Sequence, residues 1–200
     1  MGPVIRKEDL ELLYEQLDTL KDDDVLVLAG SIPSGMPQSI YRDIMSRLQS
    51  KRIKIAVDAT KDLLMNVLAY HPFVIKPNNH ELSEIFDIMI DSKEKAVVYA
   101  KELQKKGAQN VIVSMAGEGA VFVGSDGSGF TSEAPHGVVK NSVGAGDSMV
   151  AGFLAGYLAK GDYAEAFKMG LCTGSASAFS DQLATREEVE QVRRSHIFDF

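Results

Sequence analysis

The sequence contains a single cysteine, Cys172, among 200 residues. One thiol cannot close an intrachain disulfide or build a zinc site of several thiolates, so disulfide scaffolds and zinc fingers are excluded. A long apolar run is missing too. The best candidate, 149–159, is interrupted by Gly152 and Gly156 and is shorter than the roughly 20 residues that a membrane span requires. The chain has charged side chains from Arg6 to Asp9, so its start lacks the apolar core of a signal peptide. We therefore expect a cytoplasmic protein with no membrane partner.

Positive charge is also scarce. The chain has 21 lysines and arginines against 28 aspartates and glutamates, which gives a net charge of −7. Such a balance argues against a surface that neutralises nucleic acid or an anionic bilayer. The hydrophobic content of 45% is enough to form a buried core, so intrinsic disorder is excluded as well.

Short runs rich in valine and isoleucine alternate with amphipathic stretches. The pattern predicts strands at 25–29, 53–57, 73–75 and 111–114. It predicts helices at 8–20, 39–49, 61–69, 81–86 and 92–106. This alternation is typical of parallel βαβ units, so the fold class is α/β, with a doubly wound, mostly parallel sheet and helices on both faces.

The pattern changes after Ser114. Two short strands, 120–123 and 129–133, flank a glycine- and serine-rich turn, which predicts an antiparallel edge. Helices are then expected at 145–158 and 163–179, and Asp162 is placed to cap the second one. We find no linker or repeat, so one domain over residues 1–200 is the simplest division. In sheets of this class, ligands bind beyond the carboxyl ends of the strands.

The segment NSVGAGDS at 141–148 precedes an apolar helix. Gly144, Ala145 and Gly146 can turn consecutive N–H groups toward one point, where the helix N-terminus adds a partial positive charge. Such a concavity binds an anion, and the carboxylate of Asp147 beside it can accept a proton from a hydroxyl group. Alternatively, Asp147 only complements the helix dipole and the glycines only permit a tight entry.

The common nucleotide-binding loops are not found in this chain. Four segments in order, LAGSIPSG at 28–35, KPNNHE at 76–81, SMAGEG at 114–119 and NSVGAGDSMVAG at 141–152, instead resemble the PfkB-type sugar kinases of the ribokinase-like superfamily. The resemblance implies ATP-dependent phosphoryl transfer to a sugar phosphate. It is strongest to the 1-phosphofructokinase branch, which implies conversion of fructose 1-phosphate to fructose 1,6-bisphosphate.

The resemblance also implies roles for individual residues. Asp147 becomes the catalytic base, which also contacts the substrate, and Gly144, Ala145 and Gly146 become the anion hole. Magnesium is implied as a cofactor beside ATP. The implied positions are Lys76, Asn78, Ser114, Gly117 and Gly119 for ATP, Asn78, Glu81 and Asp58 for Mg²⁺, partly through water, and Ser31 for the sugar phosphate.

Members of the family begin with a segment that forms a lid and holds the sugar, and residues 1–24 do not resemble it. We therefore expect the chain to be the C-terminal portion of a kinase, weakly active or inactive alone. Family members commonly pair through the lid, so the resemblance is compatible with a homodimer of the full-length protein, but the sequence leaves the oligomeric state open. Two alternatives remain open: a tagatose-6-phosphate kinase, and a non-catalytic nucleotide-binding module with the same scaffold.

Overall fold

The computed structural model describes residues 5–33 and 35–200. Ser34, within the segment 28–35, lies outside the described residues. In the described part, one six-stranded sheet has the order β1-β2-β3-β4-β5-β6. Its strands are β1 Val25–Ala29, β2 Lys54–Asp58, β3 Val74–Ile75, β4 Asn110–Ser114, β5 Ala120–Val123 and β6 Gly129–Ser132. The first four strands are parallel and the last two are antiparallel to their neighbours, which confirms the predicted sheet.

Helices precede, connect and follow these strands. They are α1 Lys7–Asp18, α2 Ile40–Leu48, α3 Lys61–Met65, α4 Asn79–Phe86, α5 Lys93–Lys105, α6 Ala145–Lys160, α7 Tyr163–Phe179 and α8 Arg186–Ser195. Short 3-10 turns occur at Leu68–Tyr70 and Ala116–Glu118. None of the described helices is long and apolar enough to cross a bilayer.

Alternate residues of the strands face opposite sides of the sheet, as the two-residue period of a strand requires. On β4, Val111 and Val113 join a core that α1 to α5 cover, whereas Ile112 joins a second core beneath α6 and α7. The predicted covering of both sheet faces by helices is therefore confirmed.

The sequence prediction was wrong for the segment 61–69. Helix α3 ends at Met65, and the chain turns through the 3-10 segment Leu68–Tyr70. His71 then adopts a left-handed conformation with φ of 54°. It precedes Pro72, and a residue before proline is restricted away from the right-handed helical region. This turn brings Phe73 to the sheet, where its N–H donates to the carbonyl oxygen of Ile55 at 2.8 Å.

The carboxyl ends of the parallel strands lie side by side. The N–H of Gly30, just after β1, donates to the carbonyl oxygen of Asp58 at the end of β2 at 3.0 Å. The N–H of Lys76, just after β3, donates to the carbonyl oxygen of Val57 at 3.3 Å. The sheet therefore gathers polar residues from adjacent strands along one edge.

Candidate active site

The loop before α6 is shaped by a glycine in a left-handed conformation. Gly144 has φ of 81° and is the N-cap residue, and its carbonyl oxygen accepts the N–H of Ser148 at 2.8 Å. A side chain here would be strained, and its Cβ would lie 2.7 Å from Cδ2 of Leu183. Glycine at this position therefore sets the angle at which the chain enters the helix.

The first turn of α6 presents unpaired donors. Among the described residues, the N–H groups of Gly144, Gly146 and Asp147 have no hydrogen-bond partner, whereas that of Ala145 donates to the carbonyl oxygen of Ser142 at 3.2 Å. Free N–H groups at a helix N-terminus, together with the helix dipole, favour an anion. Two of the three N–H groups predicted to form the anion hole are thus available.

The Asp147 carboxylate is exposed and forms no ion pair with any residue that the structure describes. It lines a cavity of about 340 Å³ between the end of β1 and α6. The other lining residues are Val27, Ala29, Gly30, Asp58, Val150 and Ala151. A small hydroxylated molecule in this cavity would meet the carboxylate directly.

A buried ion pair lies beneath the loop. The ammonium of Lys76 contacts the carboxylate of Asp58 at 3.2 Å, and only 7% and 17% of the two side chains are exposed. Burial raises the pKa of Asp58; Lys76 opposes the rise, while the negative charges of Glu81 and Asp147 add to it. Lys76 is therefore not an ordinary solvated surface lysine.

Lys76 also reaches the loop before α6, at 141–148, which we call the phosphate loop after the anion-binding role predicted for it. A Cβ added to Gly146 would lie 3.2 Å from Nζ and 3.4 Å from Cε of Lys76. The ammonium therefore packs against the backbone of the helix N-terminus, which adds a full positive charge to the partial charge of the helix.

Asn78 and Glu81 form a capping box at the start of α4. The Asn78 side-chain oxygen accepts the N–H of Glu81 at 2.8 Å, and Oε2 of Glu81 accepts the N–H of Asn78 at 2.8 Å. The pair therefore leaves one carboxylate oxygen of Glu81 free. No group of three or more histidine, cysteine or acidic residues that could enclose a metal occurs in the described part of the chain. Because a hard cation such as Mg²⁺ keeps several waters, these residues fit a hydrated ion.

A second cavity, of about 580 Å³, opens on the other side of the loop. The five positions expected at ATP all line it: Lys76, Asn78, Ser114, Gly117 and Gly119. Ala145 and Gly146 line it as well.

Ser31, expected at the sugar phosphate, is exposed and is adjacent to Gly30, which lines the smaller cavity. Gly119 has a packing role too, since a Cβ there would lie 2.0 Å from the carbonyl oxygen of Ser132.

Sequence reasoning missed several residues at this site. Pro135, Gly137 and Phe179 line the larger cavity, and a Cβ on Gly137 would lie 2.4 Å from the Phe179 ring. The hydroxyl of Tyr41 donates to the carbonyl oxygen of Ala29 at 2.7 Å, which holds the end of β1. Of these residues, only Gly137 carried a sequence signal that could have revealed it, because a glycine inside an irregular segment often marks a place where another part of the chain approaches the backbone closely.

The pfkB family of carbohydrate kinases matches residues 3–188. The chain is 44% identical to the 1-phosphofructokinase of Bacillus subtilis in an alignment of 197 positions that covers 96% of this chain and 63% of that protein. It is 28% identical to the D-tagatose-1-phosphate kinase of Bacillus licheniformis, over 95% of this chain and 62% of that protein.

Solved structures agree with this match. A putative phosphofructokinase from Staphylococcus aureus superposes with a TM-score of 0.91 at 37% identity, over 97% of this chain and 63% of that one. Phosphofructokinase-2 from Escherichia coli, in complex with substrates and products, superposes with a TM-score of 0.89 at 26% identity, over 96% of this chain and 64% of that one. The chain thus spans somewhat less than two thirds of the relatives that it matches.

Proposed function

Because this chain belongs to the pfkB family of carbohydrate kinases, we propose that its protein transfers a phosphoryl group from ATP to a sugar phosphate. The acceptor proposed is fructose 1-phosphate and the product fructose 1,6-bisphosphate. The 44% identity to the Bacillus subtilis 1-phosphofructokinase supports this choice of acceptor.

The observation that carries the proposal is the position of the phosphate loop between two cavities. Asp147 lines the smaller cavity, and Ala145 and Gly146 line the larger one. A phosphoryl donor in the larger cavity and a hydroxyl acceptor in the smaller one would meet at the N-terminus of α6. In-line transfer requires this arrangement of donor, acceptor and charge-stabilising groups.

Each residue then has a physical role. The Asp147 carboxylate accepts the proton of the acceptor hydroxyl, which makes its oxygen a better nucleophile. The free N–H groups of Gly144 and Gly146, with the Lys76 ammonium behind them, stabilise negative charge as the phosphoryl group moves. Glu81 and Asn78 would hold a hydrated Mg²⁺, which neutralises phosphate charge when it is bound.

A second acceptor is favoured by one comparison. D-tagatose-1-phosphate kinases are 28% identical to this chain, so tagatose 1-phosphate is the first competitor to test. The sequence resemblance suggested tagatose 6-phosphate instead. Both sugars therefore belong in the experiment, beside fructose 1-phosphate and fructose 6-phosphate.

The test measures ADP release by the complete protein with MgATP and each of the four sugar phosphates. We expect the largest kcat/KM with fructose 1-phosphate, and fructose 1,6-bisphosphate as the product. A larger kcat/KM with a tagatose phosphate would identify that sugar phosphate as the acceptor in place of fructose 1-phosphate. ATP binding without transfer to any of the four sugars would instead support a non-catalytic nucleotide-binding module.

A further inference from the structure

We infer that Asp58 is a positioning residue, whose carboxylate holds the ammonium of Lys76 against the N-terminus of α6, where nucleotide phosphates bind. The inference rests on the proposed nucleotide site. It assigns Asp58 a role different from that of a magnesium ligand, which the sequence resemblance implied.

The sheet itself brings the two residues together. Strands β2 and β3 are adjacent and parallel, and Val57 is paired with Ile75. Asp58, the last residue of β2, and Lys76, just after β3, directly follow this pair, so both side chains leave the sheet at the same level. Their contact of 3.2 Å is therefore fixed by strand register rather than by two flexible side chains that meet by chance.

The same pair touches the phosphate loop. A Cβ on Gly146 would lie 3.2 Å from Nζ of Lys76 and 4.0 Å from Oδ2 of Asp58. Carboxylate, ammonium and helix N-terminus thus follow one another from the sheet toward the larger cavity. Because Gly146 has no side chain, the ammonium can lie close to the helix backbone without crowding.

The lysine depends on its partner. A buried ammonium without an opposite charge turns toward water, because an unpaired charge is costly to bury. The Asp58 carboxylate keeps the ammonium in place through their contact of 3.2 Å. Without Asp58, the ammonium would be displaced from beneath the loop, and the N–H groups alone would face the phosphates.

The positioning role and the metal-ligand role predict different effects on the binding of a metal-free nucleotide. If Asp58 only held a metal, removal of its negative charge would leave the binding of a metal-free nucleotide anion unchanged or strengthen it. If Asp58 holds Lys76, the same change would weaken that binding. Metal-free affinity therefore separates the two roles without a measurement of turnover.

The experiment measures the Kd of ADP in EDTA for the complete protein and for D58N, K76M and the double variant. We expect D58N and K76M each to weaken binding about tenfold to a hundredfold, as expected for the loss of one charged contact. The double variant should bind no more than about twofold more weakly than K76M, because Asp58 acts only through Lys76. Unchanged or tighter binding by D58N, or losses that multiply, would overturn the inference.

D181N is the matched control, because Asp181 forms an exposed ion pair with Lys140 at 3.3 Å near the same loop. We expect it to bind ADP like the wild type, and a loss of ADP affinity in D181N equal to that in D58N would also overturn the inference.

If D58N does not fold, D58E takes its place. A longer carboxylate displaces the ammonium, so a several-fold weaker Kd is expected and an unchanged one refutes the role. This binding pattern in a protein that phosphorylates no sugar would refute the proposed function alone.

Discussion

Replacement of Gly146 by alanine should separate nucleotide binding from folding. The new Cβ would lie 3.2 Å from Nζ and 3.4 Å from Cε of Lys76, so the end of the lysine must shift by a few tenths of an ångström. Alanine is favoured over glycine inside a helix by up to about 1 kcal/mol, which offsets much of this crowding. We therefore expect the free energy of unfolding to change by less than about 1 kcal/mol.

Binding should respond differently, because the shifted ammonium supports the phosphate loop less closely. We expect the Kd of ADP to rise about threefold or more in G146A, measured by titration calorimetry, while thermal unfolding stays close to that of the wild type. Wild-type affinity in G146A would refute the placement of Lys76 at the phosphates. A large loss of stability would refute the estimate of crowding.

Gly152 in the same helix provides a matched control. A Cβ there would lie 2.5 Å from Oγ1 of Thr173 and 2.7 Å from the carbonyl oxygen of Met169, so α6 and α7 must move apart. Such overpacking costs about 2 kcal/mol and lowers Tm by roughly 4 to 8 °C. We expect G152A to lose stability yet keep the ADP affinity of the wild type, the reverse of G146A.

Three further outcomes follow from single sites. Ala116 has φ of 48°, a left-handed conformation that strains alanine but not glycine. A116G should therefore raise the free energy of unfolding by up to about 1 kcal/mol in denaturant titrations, and a clear decrease in that free energy would contradict this. A hydrogen bond from Lys160, with the charge of Arg193 among smaller causes, lowers the pKa of Glu165 from its ordinary 4.5. The stabilisation from the ionised Glu165 carboxylate is fully present above pH 4.5 and is lost as the pH falls through the lowered pKa. The free energy of unfolding of the wild type should therefore exceed that of E165Q by roughly 1 kcal/mol at neutral pH and equal it in acid. A difference that does not change with pH would refute this. Burial raises the pKa of Cys172 to about 12, so a thiol reagent at pH 8 should label the protein only after unfolding.

Strong local signals in the sequence were sufficient for most elements. Strand β1 and helix α7 have the predicted bounds, because apolar periodicity and the Asp162 cap mark them. Helix α8 was missed although Thr185 and Glu188 form a capping box there. Only Val189 of that helix is buried, so the apolar stripe on which the prediction depended is too weak to detect.

The candidate active site also has parts that local sequence patterns indicate and parts that only the folded chain brings together. The glycines of the phosphate loop are a local pattern, and the sequence indicated their role. The capping box of Asn78 and Glu81 is also a local pattern, but it was not predicted, because the two residues were assigned only to ATP and Mg²⁺. The contact of Asp58 with Lys76 joins adjacent strands whose register becomes known only in the folded sheet. Sequence reasoning therefore assigned the two residues separately, one to a metal and one to ATP, and could not detect that they form a pair.

The most direct test of the catalytic role is the turnover of D147N in the complete protein. The amide keeps the shape of the side chain but cannot accept the proton, so kcat should fall about 10³-fold while the Kd of MgATP stays within about threefold of the wild type. E187Q, which neutralises a first-turn acid of α8, should leave both values unchanged and so exclude a general effect of helix-terminal charge. A D147N protein that retains more than about a tenth of the wild-type kcat would contradict the assignment of Asp147 as the base.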